Sequence, residues 1–325
     1  MRTISPRRAA SPAPRRKTAA VGVAAVACLA VAVAACSSSG SSTASSSSSA
    51  NPLAPKATGA VVVGSANFPE DELLAQIYVD ALQGKGVKVT PKFNIGAREV
   101  YYPEIEKGAV TIIPEYNGAL LTTSVDPTST AASTEEVNAA LKAKLPSSLE
   151  ILNSSSAEDK DSITVTQATA AKYHLTSISD LSPYAKDFVI GGPSEFQTRA
   201  DGLVGLKKIY GLTFKSFSPL DESGPITISA LQSGKVQAAD LFTTTPQIVT
   251  DHFLSLADPK NLFAAQNITP LVYKAGVNST IVSTLNAVSA ALTTEALVQM
   301  NKALTVDHAS YTQVASGFLS QEGLN

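Results

Sequence analysis

The sequence predicts an α/β protein of two lobes. Three observations predict it. From residue 59 onward, short β-branched runs alternate with helical patterns about ten residues long. These segments fall into two successive series, and 325 residues leave room for about two domains. Strands alternating with helices imply parallel sheets covered on both faces, and an apolar share of 44% supports a sizeable core. No internal repeat is visible.

The chain begins with a segment that belongs to no fold. Residues 1–17 are rich in Pro and Ser and carry Arg2, Arg7, Arg8, Arg15, Arg16 and Lys17, while residues 18–35 carry no charge. A basic start followed by an apolar run reads as a secretory signal. It ends Val33-Ala34-Ala35-Cys36, which resembles the bacterial lipobox: small residues before a cysteine whose sulfur takes a diacylglycerol. An uncleaved transmembrane anchor is the alternative, since about 18 apolar residues just suffice to span a bilayer. The cysteine at the apolar-to-polar switch favours lipidation at Cys36; Cys28 is the weaker candidate because more apolar residues follow it. Two acyl chains then hold the protein to the membrane far better than one. Residues 37–49 contain ten Ser, with Gly40, Thr43 and Ala44, and read as a flexible tether over 36–58. The working part is therefore expected to be exported and anchored by lipid to the outer face of the cytoplasmic membrane. No cofactor is expected, since ATP and reduced nicotinamides are not at hand there.

The first series opens with the β-branched run Ala60–Val63, followed by Gly64. Leu73, Leu74, Ile77, Tyr78 and Leu82 recur at helical spacing over Glu70–Leu82, with Pro69, Glu70 and Asp71 suited to the first turn. Val87–Phe93 alternates as a strand, Glu99–Lys107 is a short helix, and Val110–Ile113 is the next strand. Ser133-Thr-Glu-Glu136 fits a capping box that opens a helix to Leu145. The second series starts near Ile163–Thr166. It continues with strand Phe188–Ile190, helix Leu203–Tyr210, strand Phe214–Phe217, helix Ile226–Ser233 and strand Val236–Phe242. Leu271–Tyr273 is a last strand before three helical stretches, Thr280–Leu292, Thr294–Leu304 and Asp307–Ser320.

Charge and motifs remove several functions. Cut before Cys36, the chain keeps 290 residues with 19 basic and 27 acidic side chains, a net charge of −8. Nucleic acid is disfavoured as a partner, because phosphate binding needs a basic stripe. Both cysteines precede residue 40, so disulfide scaffolds and cysteine metal sites are out. There is no Walker loop, G-x-G-x-x-G, G-x-S-x-G or H-E-x-x-H. His174, His252 and His308 have no ligand-type neighbour at i+3 or i+4 and read as surface residues. Asp251 and His252 are adjacent and would point to different faces of a helix. No enzymatic activity and no metal are expected.

Three segments are more specific. The first is VVVGSANFPE (61–70); the second is NIGAREV (94–100) with PEYNGALLT (114–122). The third is GGPSEFQTRADGLVGLKKIYGLTF (191–214), followed by DESGPITISALQSGKVQAADLFTTTPQI (221–248). In order and spacing these resemble the substrate-binding proteins of ABC importers for glycine betaine, choline and carnitine, from about residue 60 to the C-terminus. The resemblance implies a flytrap-like, type II periplasmic-binding-protein fold with a ligand cleft between lobes. The chain would cross between lobes twice, giving a first lobe of 59–160 plus 268–325 and a second of 161–267. The implied partners are a small zwitterionic or cationic solute and an ABC permease in the cytoplasmic membrane, and a monomer is expected.

The ligands of that family have distinctive physics. A trimethylammonium group has no N–H to donate, so aromatic faces hold it by cation–π attraction, and a ligand carboxylate suits an arginine fork. By resemblance, Tyr116 falls where the family places a cage tyrosine, Phe242 falls on a second cage position, and Arg199 on the arginine that pairs with the ligand carboxylate. Asp161 and Gln266 fall at or near the two remaining cage tyrosines, and Ala66 and Ala119 replace polar positions that reach the ligand. Two lost faces at ~0.5–2 kcal/mol each cost about tenfold or more in affinity. An acid at 161 attracts a cation directly and Gln266 offers hydrogen bonds, so the expectation is a site retuned toward a more polar or larger solute. On bare sequence the same residues have plainer readings. Tyr116 is a turn tyrosine, Phe242 ends an apolar strand as core, and Glu99 is a first-turn acid. Tyr101-Tyr102 is one buried and one exposed ring. Arg199 opens a helix where a carboxylate would be favoured, which hints at a use elsewhere. Three other readings stay open: the same fold with a different polar or cationic solute, a sensory lipoprotein without transport, and an extracytoplasmic hydrolase, which needs a histidine in the cleft.

Overall fold

The computed structural model describes residues 60–325; the signal segment, Cys36 and the Ser-rich tether lie outside the described residues. Strands β1 (Val61–Gly64), β2 (Val89–Lys92), β3 (Ile112–Tyr116), β4 (Leu149–Ile151) and β10 (Ile268–Tyr273) form one sheet in the order β2-β1-β3-β10-β4. A second sheet joins β5 (Asp161–Thr166), β6 (Val189–Gly192), β7 (Ser216–Pro219), β8 (Ala238–Phe242) and β9 (Phe253–Ser255) in the order β7-β6-β8-β5-β9.

Both sheets are mixed, which corrects the expectation of parallel sheets. β1 runs parallel to β2 and β3, and β6 runs parallel to β7 and β8, as helical crossovers require. β10 is antiparallel to β3 and β4, and β5 is antiparallel to β8 and β9. Each of these two strands is the first to enter its sheet after the chain arrives from the other one, so no crossover helix dictates its direction. The register of β5 and β8 sets Asp161 opposite Phe242 at the end of the second sheet. That of β3 and β10 sets Tyr116 opposite Ile268 at the end of the first.

Helix α1 (Pro69–Gly84) has Pro at its first turn and buries Leu73, Leu74, Ile77, Tyr78 and Leu82. α2 (Arg98–Glu106) leads to β3, and α3 (Asn117–Leu120) continues into a wide turn over Leu121–Val125. α4 (Thr134–Lys144) starts at a reciprocal capping box: Ser133 Oγ accepts the Glu136 N–H, and Glu136 returns its carboxylate to the Ser133 N–H. In the second lobe come α5 (Gln167–Tyr173), α6 (Leu203–Tyr210), α7 (Pro225–Gln232) and α8 (Gln247–Thr250). The chain ends with α9 (Ser279–Ala291), α10 (Thr294–Thr305) and α11 (Tyr311–Gln321), all packed on α1 and so on the first sheet. One apolar core fills the first lobe, and separate cores lie on the two faces of the second sheet.

The two crossing segments run side by side between the sheets, joined by an antiparallel bridge between Glu158 and Asn267. The Asp159 N–H donates to the Gln266 carbonyl at 3.1 Å. α3 presses against the second crossing so closely that a Cβ at Gly118 would lie 2.2 Å from the Ala265 carbonyl oxygen.

Candidate functional site

A cavity of about 40 Å³ lies where the ends of the two sheets face each other, and Ala66, Tyr116, Ala119, Asp161, Arg199, Phe242 and Gln266 all line it. These are the seven residues that the resemblance singles out. Ala66 follows β1, Tyr116 ends β3, and Ala119 sits in α3. Asp161 and Phe242 face each other across β5 and β8, Arg199 precedes α6, and Gln266 precedes β10. The space holds about three waters, so a larger solute requires the sheets to separate.

Five further lining residues were not anticipated: Phe68, Arg98, Tyr101, Asp159 and Glu222. Phe68 matters most. It stands at the cap of α1, with its ring 5.8 Å from that of Tyr116 and 5.2 Å from that of Phe242. The wall therefore carries three adjoining aromatic rings, two from the first lobe and one from the second. By resemblance only two of these, Tyr116 and Phe242, stand at cage positions. The signal was present in Asn-Phe-Pro-Glu, where an aromatic residue directly precedes a helix-starting proline.

The polar residues are largely committed to one another. Gln266 clasps Asp161 twice: its amide donates to the Asp161 carboxylate at 2.8 Å, and its Oε1 accepts the Asp161 N–H at 2.8 Å. The pair thus ties the two crossings together. Arg199 sends Nε and Nη2 to the two carboxylate oxygens of Glu99 in α2, at 2.9 and 3.0 Å. Glu99, which reads as a first-turn acid, is the cross-cleft partner of the expected carboxylate anchor. Partial burial alone would raise the Glu99 carboxyl, but the hydrogen bonds and charge of Arg199 hold it below its ordinary value.

In the first lobe, Glu115 is fully buried and accepts from Arg98 Nε at 3.1 and 3.2 Å, from Arg98 Nη2 at 2.9 Å and from the Tyr101 hydroxyl at 2.8 Å. Tyr101 is buried and Tyr102 half-buried. Glu70 accepts the Tyr116 hydroxyl at 2.8 Å, the Thr244 hydroxyl at 2.6 Å from the other lobe, and the Asn301 amide. Burial raises the Glu70 carboxyl against these bonds, and Asp159 beside it is pushed well up by burial and then by the charge of Glu70. Glu70 and Asp71 therefore do more than favour a helix start.

In the second lobe the acids are less well served. Oε2 of Glu222 and Oδ1 of Asp240 are buried with no hydrogen-bond partner among the described residues. Asp201 bonds to the Thr122 hydroxyl across the cleft at 2.8 Å. Burial, opposed by Arg199, pushes Glu222 up to about 7. Burial and the charge of Asp161 push Asp201 up to about 6. His174, His252 and His308 are exposed and none of them lines this cavity.

Paired residues from opposite lobes close the cavity on two sides. Phe68, Phe242 and Glu222 separate it from an outer groove of about 380 Å³. Arg199, held by Glu99, separates it from a second groove of about 760 Å³.

Residues 59–321 match the family described as the substrate binding domain of ABC-type glycine betaine transport systems. The chain belongs to this family. It is similar to the glycine betaine-binding protein YehZ of Escherichia coli (strain K12), 28% identical over 281 residues, covering 82% of this chain and 92% of that protein. It is 24% identical over 268 residues to the ergothioneine transport permease/ergothioneine binding protein EgtU of Helicobacter pylori (strain G27), over 81% of this chain and 48% of that protein. Among solved structures, that of a glycine betaine/carnitine/choline ABC transporter superposes with a TM-score of 0.64 at 21% identity, covering 81% of this chain and 99% of that one. The shared fold is the two-lobed, type II periplasmic-binding-protein architecture, as expected.

Proposed function

We propose that this protein is the exported solute-binding component of an ABC importer, and that it captures an osmoprotectant-type quaternary amine of the glycine betaine, choline or carnitine class between its lobes. The observation that carries this reading is the convergence of Phe68, Tyr116 and Phe242, drawn from both lobes, on one cavity. A quaternary ammonium group offers no donor and is held by such π faces. Ligand contacts from both lobes stabilise the closed state by differential affinity, and the closed form is handed to a permease. The Cys36 lipid anchor and the Ser-rich tether keep the binding lobes near that permease. Its family relatives are transport binding proteins, and capture and release of the solute need no covalent step.

Thermal unfolding of the full chain against glycine betaine, choline, carnitine, ectoine and sugars tests this. A ligand at 100 times its Kd adds about 2.7 kcal/mol of stability, a shift of several degrees. The shift is expected with at least one quaternary amine and is lost in Phe242→Ala and Tyr116→Ala. A panel in which only sugars respond would overturn the assignment.

A further inference from the structure

Most side-chain donors that line the cavity are engaged by carboxylates, whereas one carboxylate of the lining has an oxygen that is not engaged. Arg199 Nε and Nη2 are engaged by Glu99, Arg98 Nε and Nη2 by Glu115, the Tyr116 hydroxyl by Glu70, and one N–H of the Gln266 amide by Asp161, which leaves Arg199 Nη1 without a hydrogen-bond partner among the described residues. Arg98 Nη1 makes only a long contact of 3.4 Å with the Thr123 hydroxyl. Ala66 and Ala119 contribute no side-chain donor. Against this stands Glu222, which lines the cavity with a buried Oε2 that has no hydrogen-bond partner among the described residues. Asp240, only 2% exposed and coupled to Glu222 by charge, also keeps an oxygen without a hydrogen-bond partner among the described residues.

The local chain holds Glu222 in place. Asp221 caps α7 by accepting the N–H groups of Ile226 and Thr227 at 3.0 and 2.8 Å. Ser223 adopts a left-handed φ of 55°, a conformation that a non-glycine residue keeps only when its surroundings enforce it. Its Oγ accepts the Phe242 N–H at 2.6 Å and shares a hydrogen bond with the Thr245 hydroxyl at 3.2 Å. Glu222 is thus fixed between a helix cap and a strained residue bonded to the backbone of the cage ring Phe242. It stands, with Phe68 and Phe242, where the inner cavity meets the outer groove.

We propose that Glu222 is a specificity-determining residue that accepts a hydrogen bond from the bound solute, selecting cations that carry an O–H or N–H donor over donor-free betaines. This rests on the reading of the inter-lobe cavity as the solute site. The aromatic rings hold the cationic head, and Glu222 receives the donor that the head itself lacks. A ligand carboxylate meets an Arg199 whose Nε–Nη2 edge is already taken by Glu99.

The test is isothermal titration of the full chain with choline and its O-methyl ether, which differ only in the hydroxyl donor, and with tetramethylammonium and glycine betaine. Choline is expected to bind about tenfold or more tighter than its ether, the size of a charge-assisted hydrogen bond. In Glu222→Ala and Glu222→Gln that ratio falls to within about threefold, while tetramethylammonium, which has no donor and loses only the attraction of the charge, changes by the same factor as the ether. Comparing the ratio between the wild type and Glu222→Ala separates the donor from the bulk of the added methyl. A ratio near one in the wild type, or one unchanged by both variants, overturns the role of Glu222 while leaving the cleft reading intact. If no cation binds, and Phe242→Ala behaves as the wild type, the cleft reading fails and the Glu222 assignment falls with it.

Discussion

The two walls of the cleft solve the burial of charge in opposite ways. On the first-lobe wall, Glu115 gathers Arg98 and Tyr101, and Glu70 gathers Tyr116 and Asn301 from its own lobe. One oxygen of Asp71 is the exception. On the second-lobe wall, Asp201 finds its partner only across the cleft, and Glu222 and Asp240 each keep a buried oxygen with none among the described residues. A buried carboxylate without partners costs free energy that a bound cation can return. The first wall is therefore paired largely within its own lobe, and the second draws a partner for Asp201 from across the cleft. The two arginines show the same contrast. Arg98 is buried within one lobe, whereas Arg199 spans the gap to Glu99, which is 47% exposed.

The largest expected effect breaks the first wall. Glu115→Ala leaves the Arg98 guanidinium buried without its counter-charge and should lower the unfolding free energy by about 3–5 kcal/mol in denaturant titrations. A loss below about 1 kcal/mol would mean the wall does not depend on this pair. The matching change on the second wall should have the opposite sign. Glu222→Gln removes a buried charge whose Oε2 has no hydrogen-bond partner among the described residues, so the ligand-free protein should gain about 1–3 kcal/mol at pH 8. A loss instead would show that Glu222 already has a structural partner.

The pH dependence sharpens the same contrast. The charges of Arg199 and Arg98 lower the Glu222 carboxyl, those of Glu195 and Asp161 raise it, Asp240 is coupled to it by charge, and burial outweighs the two arginines to push it up to about 7. Its folded value lies above its unfolded one, so the folded state binds the extra proton between about pH 5 and 7. The ligand-free protein should therefore lose stability as pH rises through that window, with Asp201, pushed up to about 6, adding to the slope. Binding runs the other way. A cation prefers ionised Glu222, so choline affinity should rise up to about tenfold between pH 6 and 8, and this rise should vanish in Glu222→Gln. A flat profile in the wild type would remove Glu222 from the binding equilibrium.

How far the sequence shows this arrangement depends on the kind of signal each residue carries. α1, α4, α9 and α10 are visible because their apolar spacing, capping residues and length all agree, and the Ser133–Glu136 box closes as its spacing demands. The strand pattern Val110–Ile113 stops short because β3 continues through Pro114, Glu115 and Tyr116, whose polar members are buried by partners elsewhere in the chain. β4 and β9 have only three residues each, too few for a period. The seven cavity residues were readable through family resemblance, not periodicity. Glu99 and Glu222 escaped because their meaning depends on long-range surroundings: Glu99 on an arginine 100 residues away, and Glu222 on a buried Oε2 with no partner among the described residues. A local window shows both only as acids near helix starts.

The smallest expected effect on stability tests the element that joins the two walls. The Arg199–Glu99 pair is bidentate but half-open to solvent, and such pairs contribute about 0–1 kcal/mol. Glu99→Gln should therefore leave the unfolding free energy nearly unchanged. Its consequences should appear in shape and in ligand choice. Without the cross-cleft charge pair the ligand-free lobes part more often, and small-angle scattering should record a larger radius of gyration. The freed Arg199 fork can then accept a ligand carboxylate, so affinity for glycine betaine relative to choline should rise several-fold. If the ratio stays fixed while the lobes open, Arg199 works only as a latch, and recognition rests on the three rings and Glu222. If the ratio rises while the radius is unchanged, Glu99 acts as an internal competitor for the arginine, and the second wall can switch between solutes with and without a carboxylate.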